Sequence, residues 1–229
     1  FGGVWSPDGR RLAFSHSGDG HNLYWQAADG TGVPERLTQR SRPQLPVAFA
    51  PDASVLLFNE PQGGVQDIGI ATLSGDRKSE LILQTPFDEE NPEVSPDGRW
   101  LAYSSNESGR MEIYVRPFPD VGSGRWQVST DGGTRPLWAR NGRELFYYVP
   151  PGTIVAVPIQ AGSPFAAGTP RPLFIGDYQM PVAGRAYDVS PDGQRFLMIK
   201  AAPGEAAAPP QIVVVQHWLD ELKRLVPTN

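Results

Sequence analysis

The sequence predicts an all-β fold: a β-propeller of four-stranded antiparallel blades, with five repeats present and a short C-terminal helix. Three observations carry this. A short apolar strand, a Ser/Ala-Pro-Asp-Gly-like turn and a second apolar strand recur five times in 229 residues. The copies are Trp5-Ser6-Pro7-Asp8-Gly9-Arg10, Phe49-Ala50-Pro51-Asp52-Ala53-Ser54, Val94-Ser95-Pro96-Asp97-Gly98-Arg99, Trp138-Ala139-Arg140-Asn141-Gly142-Arg143 and Val189-Ser190-Pro191-Asp192-Gly193-Gln194. From one Pro-equivalent position to the next the steps are 44, 45, 44 and 51 residues, and a period of roughly 40–50 residues with several short strands per unit marks propeller blades. The turns are also chemically consistent: Pro presets φ, Asp bonds back to the local backbone, and Gly accepts φ > 0.

Taken in order, the blades cover about 1–43, 44–90, 91–134, 135–185 and 186–217. The third is the clearest, with strands at Pro92–Ser95, Trp100–Ser104, Glu112–Arg116 and Arg125–Ser129. Blade one supplies Leu12–Ser15, Asn22–Gln26 and Glu35–Thr38 after its inner strand, and blade two Val55–Asn59, Asp67–Leu73 and Leu81–Thr85. Blade four repeats the pattern at Glu144–Tyr148, Thr153–Ile159 and Arg171–Phe174. The last reads as Tyr187–Ser190, Arg195–Lys200 and Gln211–Val215, with an Ala/Pro-rich loop from Ala201 to Pro210 and no fourth strand. Trp218, Leu219, Leu222, Leu225 and Val226 then recur at helical spacing, which predicts an amphipathic helix over 217–226.

Two turns depart from the consensus. Ala53 stands where Gly is expected, and an Ala at φ > 0 costs about 1–2 kcal/mol, so that turn is expected to change type. Arg140-Asn141-Gly142 lacks Pro but keeps a turn-forming Asn-Gly pair. Closed propellers leave no unprotected sheet edge. A last blade without an outer strand is therefore expected to be completed from upstream of Phe1. The ring either closes as five blades or belongs to a six-bladed whole, and an incomplete ring could pair through its strand edges or form oligomers. The chain opens on Phe1-Gly2-Gly3 without Met and reads as a piece of a longer product.

Composition removes several function classes. Hydrophobic content of 39% and charged content of 20% describe a globular chain. A net charge of −5 argues against nucleic-acid binding. The absence of cysteine excludes thiolate metal sites and a cysteine nucleophile. No apolar run reaches the roughly 20 residues of a membrane span. There is no Gly-x-Ser-x-Gly elbow, and neither a Gly-rich phosphate loop nor His-Arg-Asp and Asp-Phe-Gly kinase elements.

The turn aspartates Asp8, Asp52, Asp97 and Asp192 read as structural, since Asp is favoured there for backbone bonding. His16 and His21 read as loop residues. The strand aromatics, Trp5, Phe14, Phe49, Phe58, Tyr103, Trp138, Phe146 and Phe196, read as blade-to-blade packing. Of Tyr147 and Tyr148, adjacent on one strand, one is expected to be exposed. Binding is expected on the face where outer strands lead into the next inner strand, since loops on a rigid scaffold carry function. There the expected ligand contacts are Arg42, Gln44, Arg135, Arg185 and Tyr187, for a protein, peptide or small molecule and with no cofactor. The alternative is a calcium-dependent, lactonase-like hydrolase. In it Glu90, Asn91, Glu93 and Asp188 would offer a Ca²⁺ ion oxygen ligands in the central channel.

The Trp/Phe/Val-Ser-Pro-Asp-Gly-Arg-x-Leu-Ala-Phe/Tyr text resembles the repeat of TolB-type β-propellers, relatives of the WD-repeat proteins. The resemblance covers nearly the whole chain and implies a propeller, usually of six blades, with no catalytic residues in the repeat itself. The stretch from Ile212 to Val226 is similar to the end of bacterial serine/threonine protein kinases that carry such a propeller after the kinase domain. That resemblance implies a sensing or protein-interaction module, outside the cytoplasm if it serves a kinase as its sensor.

Overall fold

The computed structural model describes residues 2–160, 162, 164–181 and 184–200. The expected strand at 211–215 and helix at 217–226 lie outside them.

Blade one is β1 (Gly3–Trp5), β2 (Arg11–His16), β3 (Asn22–Ala27) and β4 (Glu35–Arg36), hydrogen-bonded in that order. Blade two is β5 (Leu45–Phe49), β6 (Val55–Gln62), β7 (Val65–Thr72) and β8 (Ser79–Leu83). Blade three is β9 (Glu89–Val94), β10 (Trp100–Ser105), β11 (Glu112–Pro117) and β12 (Trp126–Gln127). Blade four holds β13 (Thr134–Trp138), β14 (Glu144–Val149) and β15 (Thr153–Gln160), and its outer position is shared by β16 (Ala166–Ala167) and β17 (Arg171–Ile175), both paired to β15. The described part of blade five is β18 (Tyr187–Val189) and β19 (Phe196–Met198). Every pairing is antiparallel, and β1, β5, β9 and β13 lie against one another in succession. This is the β-propeller that the repeats predict.

The five turns superimpose in their chemistry. The amide at the Gly position bonds to the carbonyl three residues back in each, as Gly9, Ala53, Gly98, Gly142 and Gly193 at 2.8–2.9 Å. The Asp carboxylate accepts the amide two residues on, at 3.0 Å for Arg10, 2.9 Å for Ser54, 3.2 Å for Arg99 and 3.0 Å for Gln194. Asn141 does the same for Arg143 at 2.9 Å. The Ser6 hydroxyl and the Arg10 amide hold the Asp8 carboxyl below its ordinary pKa. Each of these aspartates holds its own turn through Oδ1.

Ala53 corrects one expectation. It adopts φ 56° and keeps the same turn instead of changing type, because the surrounding strands fix the hairpin register. The left-handed backbone is strained for a residue with a Cβ. Ala53→Gly is expected to raise stability by about 0.5–1 kcal/mol, net of the entropy glycine adds to the unfolded chain. Urea unfolding of the two proteins checks this, and a loss of stability would contradict it.

The core lies in the seams between blades. Ala13, Leu23 and Leu37 of blade one meet Leu56, Phe58, Ala71 and Leu73 of blade two. The alternate residues Val55, Leu57 and Ile70 face Val94 and Leu101 of blade three. Trp100, Ala102 and Ile113 meet Trp138, Leu145 and Tyr147 of blade four, whose Phe146 and Tyr148 turn to Tyr187 and Val189 of blade five. Each middle strand is covered on both faces, so it reads as a continuous apolar run. Hence Tyr147 and Tyr148 are both buried, at 4% and 6% exposure, and the expectation that one is exposed does not hold. Trp5 is the exception among the strand aromatics, at 58% exposure.

Candidate functional site

The inner strands surround a channel with two mouths. At the strand starts, Gly2, Leu45, Pro46, Val47 and Gly184 form an apolar wall, broken by Asn59, Gln66, Glu90 and Asn91, around a cavity of about 300 Å³. At the other end, beside the Pro-Asp-Gly turns, Trp5, Phe49, Glu93, Arg185 and Asp188 border a space of about 460 Å³.

A repeated bulge builds the first mouth. The register slips between Ala102 and Ser104 opposite β9, and between Thr134 and Leu137 on β13. The residues at the slip, Asn91 and Arg135, hold φ of 54° and 56° and stand at the same place in their repeats. Each is fixed by the preceding blade: the Asn91 amide donates to Asn59 Oδ1 at 3.3 Å, and the Arg135 amide to Ser104 Oγ at 3.0 Å. Strained backbone persists where its surroundings over-determine it, and a bulge re-aims the strand beyond it. Glu90 and Glu93, three apart on β9, therefore both face the channel, one at each mouth.

Most of the expected contact residues are engaged within the protein. Arg135 donates from Nε to the Gly184 carbonyl at 2.7 Å and from Nη2 to the Pro181 carbonyl at 2.6 Å. Tyr187 is buried and donates its hydroxyl to the Arg135 carbonyl at 2.6 Å, and burial raises its pKa. Arg185 pairs with Glu93 at 3.0 Å and also donates to the Pro136 carbonyl at 3.0 Å. Gln44 is buried, takes the Thr38 hydroxyl and reaches Glu60 at 3.5 Å. Arg42 is exposed. Together Arg135, Arg185 and Tyr187 tie the segment before β18 to blades three and four.

The residues of the calcium alternative separate. Glu90 and Asn91 line the first mouth, Glu93 and Asp188 the second, and Glu93 is already neutralised by Arg185. Among the described residues no three His, Cys, Asp or Glu side chains converge as a metal site. His16 caps a short 3-10 turn (Ser17–Asp19), accepting the Gly18 amide at 3.2 Å, and His21 follows that turn at φ 63°. Neither lines the mouths.

The charge at the first mouth is unbalanced. Burial, then the nearby Asp88 charge, pushes the Glu90 pKa up, while Arg135 offsets this in part. Behind it Asp67 and Glu89 are buried with raised pKa values, burial being the largest cause for each. Asn59 braces their backbone, donating to the carbonyls of Asp67 at 3.3 Å and Glu89 at 2.7 Å. Leu45, Val47, Asn59 and Gln66 do not stand out in the sequence as site residues. Asn59 has one signal, since it occupies the same repeat position as Ser104, the other side chain that holds a bulge.

No family model matches the chain. It is 26% identical over 132 residues to an uncharacterized protein of Agrobacterium fabrum, a match taking in 56% of this chain and 40% of that protein. The chain thus spans about 40% of the length of the curated relative it matches. Among solved structures it is similar to a protein described as a TolB from Agrobacterium tumefaciens, with a TM-score of 0.68 and 19% identity, over 86% of this chain and 73% of the other. It is similar also to TolB from Acinetobacter baumannii, with a TM-score of 0.63 and 20% identity, over 85% of this chain and 47% of the other. The fold is that of the TolB-type propellers.

Proposed function

We propose that this chain is a non-catalytic binding and sensing module that receives a protein segment, peptide or small ligand at the mouth formed by the inner-strand starts. The observation that carries this reading is the preformed cavity there, apolar-walled with a few convergent polar groups on a rigid scaffold, which is the usual form of a ligand site. The resemblance of the stretch from Ile212 to Val226 to the ends of propeller-bearing kinases supports a sensing role. The enzyme reading gains no support: among the described residues no nucleophile stands with a base at this mouth, and the carboxylates of the calcium reading are divided between two ends of the channel. No helix among the described residues is long and apolar enough to cross a membrane.

The test is to fill the mouth. Val47 is half-buried on its wall at the bulged step of β5, so Val47→Trp places an indole in the cavity. Peptides selected against the native protein from a display library are expected to bind the variant at least about tenfold more weakly, a loss of roughly 1.4 kcal/mol. Its circular dichroism should be unchanged. Full affinity in a folded Val47→Trp protein would sink the reading.

A further inference from the structure

Two carboxylates of one strand face the channel, and they are treated differently. Glu93 has its counter-ion: the Arg185 guanidinium lies 3.0 Å away, and both side chains are largely shielded from solvent. Among the described residues Glu90 has none, and its side chain takes one hydrogen bond there, from the Asn91 side-chain amide, a weak donor at 3.5 Å. Arg135, the cation that influences it, directs its Nε, Nη2 and Nη1 to the Gly184 and Pro181 carbonyls and to Thr134 Oγ1. Gln66 also lines the cavity, and its Oε1 is itself buried, with no described group donating to it. Glu90 is half-buried, and a shielded carboxylate without a counter-ion is costly. The deficit at Glu90 lies at the cavity and calls for a donor carrying positive charge. The rest of the wall, Leu45, Pro46 and Val47, is apolar.

We propose that this mouth recognises a primary ammonium group on a short apolar stem, with Glu90 as its counter-ion. A lysine side chain and a peptide N-terminus share that chemistry: three N–H donors on one compact charge. The inference rests on the mouth being the binding site and adds the class of group it takes.

The experiment is isothermal titration of the whole chain at neutral pH and low salt, with four short peptides. An acetylated, amidated Gly-Lys-Gly is compared with its norleucine counterpart, and an amidated Gly-Gly-Leu with its N-acetylated form. An ammonium-bearing peptide is expected to bind at least about tenfold more tightly than its neutral match, as a charge-assisted bond to a shielded carboxylate requires. Which pair shows the difference tells lysine from an N-terminus. Glu90→Gln, close in size and expected to melt no lower than the native protein, should erase the difference. Equal binding of charged and neutral peptides, no binding of any, or a preference that survives Glu90→Gln would each overturn the proposal. Equal binding that Val47→Trp abolishes would overturn the ammonium preference and leave the mouth as the site; the display selection judges the site independently.

Discussion

Truncation of Phe58 to alanine is expected to cost about 3–5 kcal/mol, the usual range for a buried aromatic cut to a methyl group. Phe58 is fully buried in the seam between blades one and two, against Leu23, Leu37, Leu56 and Leu73. It stands directly across from Gly69. A Cβ on Gly69 would come within 2.2 Å of the Phe58 ring and 2.9 Å of the Glu80 carbonyl, so the ring lies flat over bare backbone. No neighbouring side chain can move in to fill the space, because both flanking sheets are held by their ladders. At roughly 2–4 °C per kcal/mol for a chain of this size, the melting temperature should fall by roughly 6–20 °C. Urea unfolding of the variant checks this, and a loss under about 1 kcal/mol would mean that the seam does not carry the fold.

The second large effect is expected at the channel ion pair. Glu93→Met leaves the Arg185 guanidinium, itself only 24% exposed, facing the Tyr187 and Pro136 carbonyls and the charge of Asp188, with which it forms no ion pair among the described residues. Breaking a fully buried pair from one side costs about 3–5 kcal/mol; the partial exposure here reduces that to about 2–3 kcal/mol. Arg185→Met combined with Glu93→Met removes both charges. The double variant should therefore recover much of the loss, giving a coupling of about 1 kcal/mol or more in a double-mutant cycle. Strictly additive losses would show that the two groups do not depend on each other.

These two sites also mark how far the sequence could be read. The turns were legible because their chemistry is local: Ser6, Pro7, Asp8 and Gly9 make all their defining bonds within six residues. Phe58 was legible as blade packing from its place in the repeat. Tyr147 and Tyr148 misled, because alternation assumes one wet face and a propeller sheet has none. Ala53 misled because the strands on either side outweigh a local preference worth a kilocalorie or two.

The arginines were the least legible. Arg135 and Arg185 read as ligand contacts, yet their partners lie 46 to 92 residues away in sequence, at Pro181, Gly184, Pro136 and Glu93. Only the packing of blade five on blades three and four decides which oxygen each one meets. The same holds for Glu90 and Glu93. A regular strand would turn them to opposite faces, and the bulge at Asn91, invisible in composition or periodicity, brings both to the channel.

The measurement that tests the central claim most directly is the amide chemical-shift map of the ¹⁵N-labelled chain, bound to a peptide selected against it. Perturbations should concentrate at Gly2, Leu45, Val47, Gln66, Glu90, Asn91 and Gly184, around the mouth at the inner-strand starts. Perturbations centred on Trp5, Phe49, Arg140 and Asp188 at the opposite mouth, or spread along the outer strands, would contradict it.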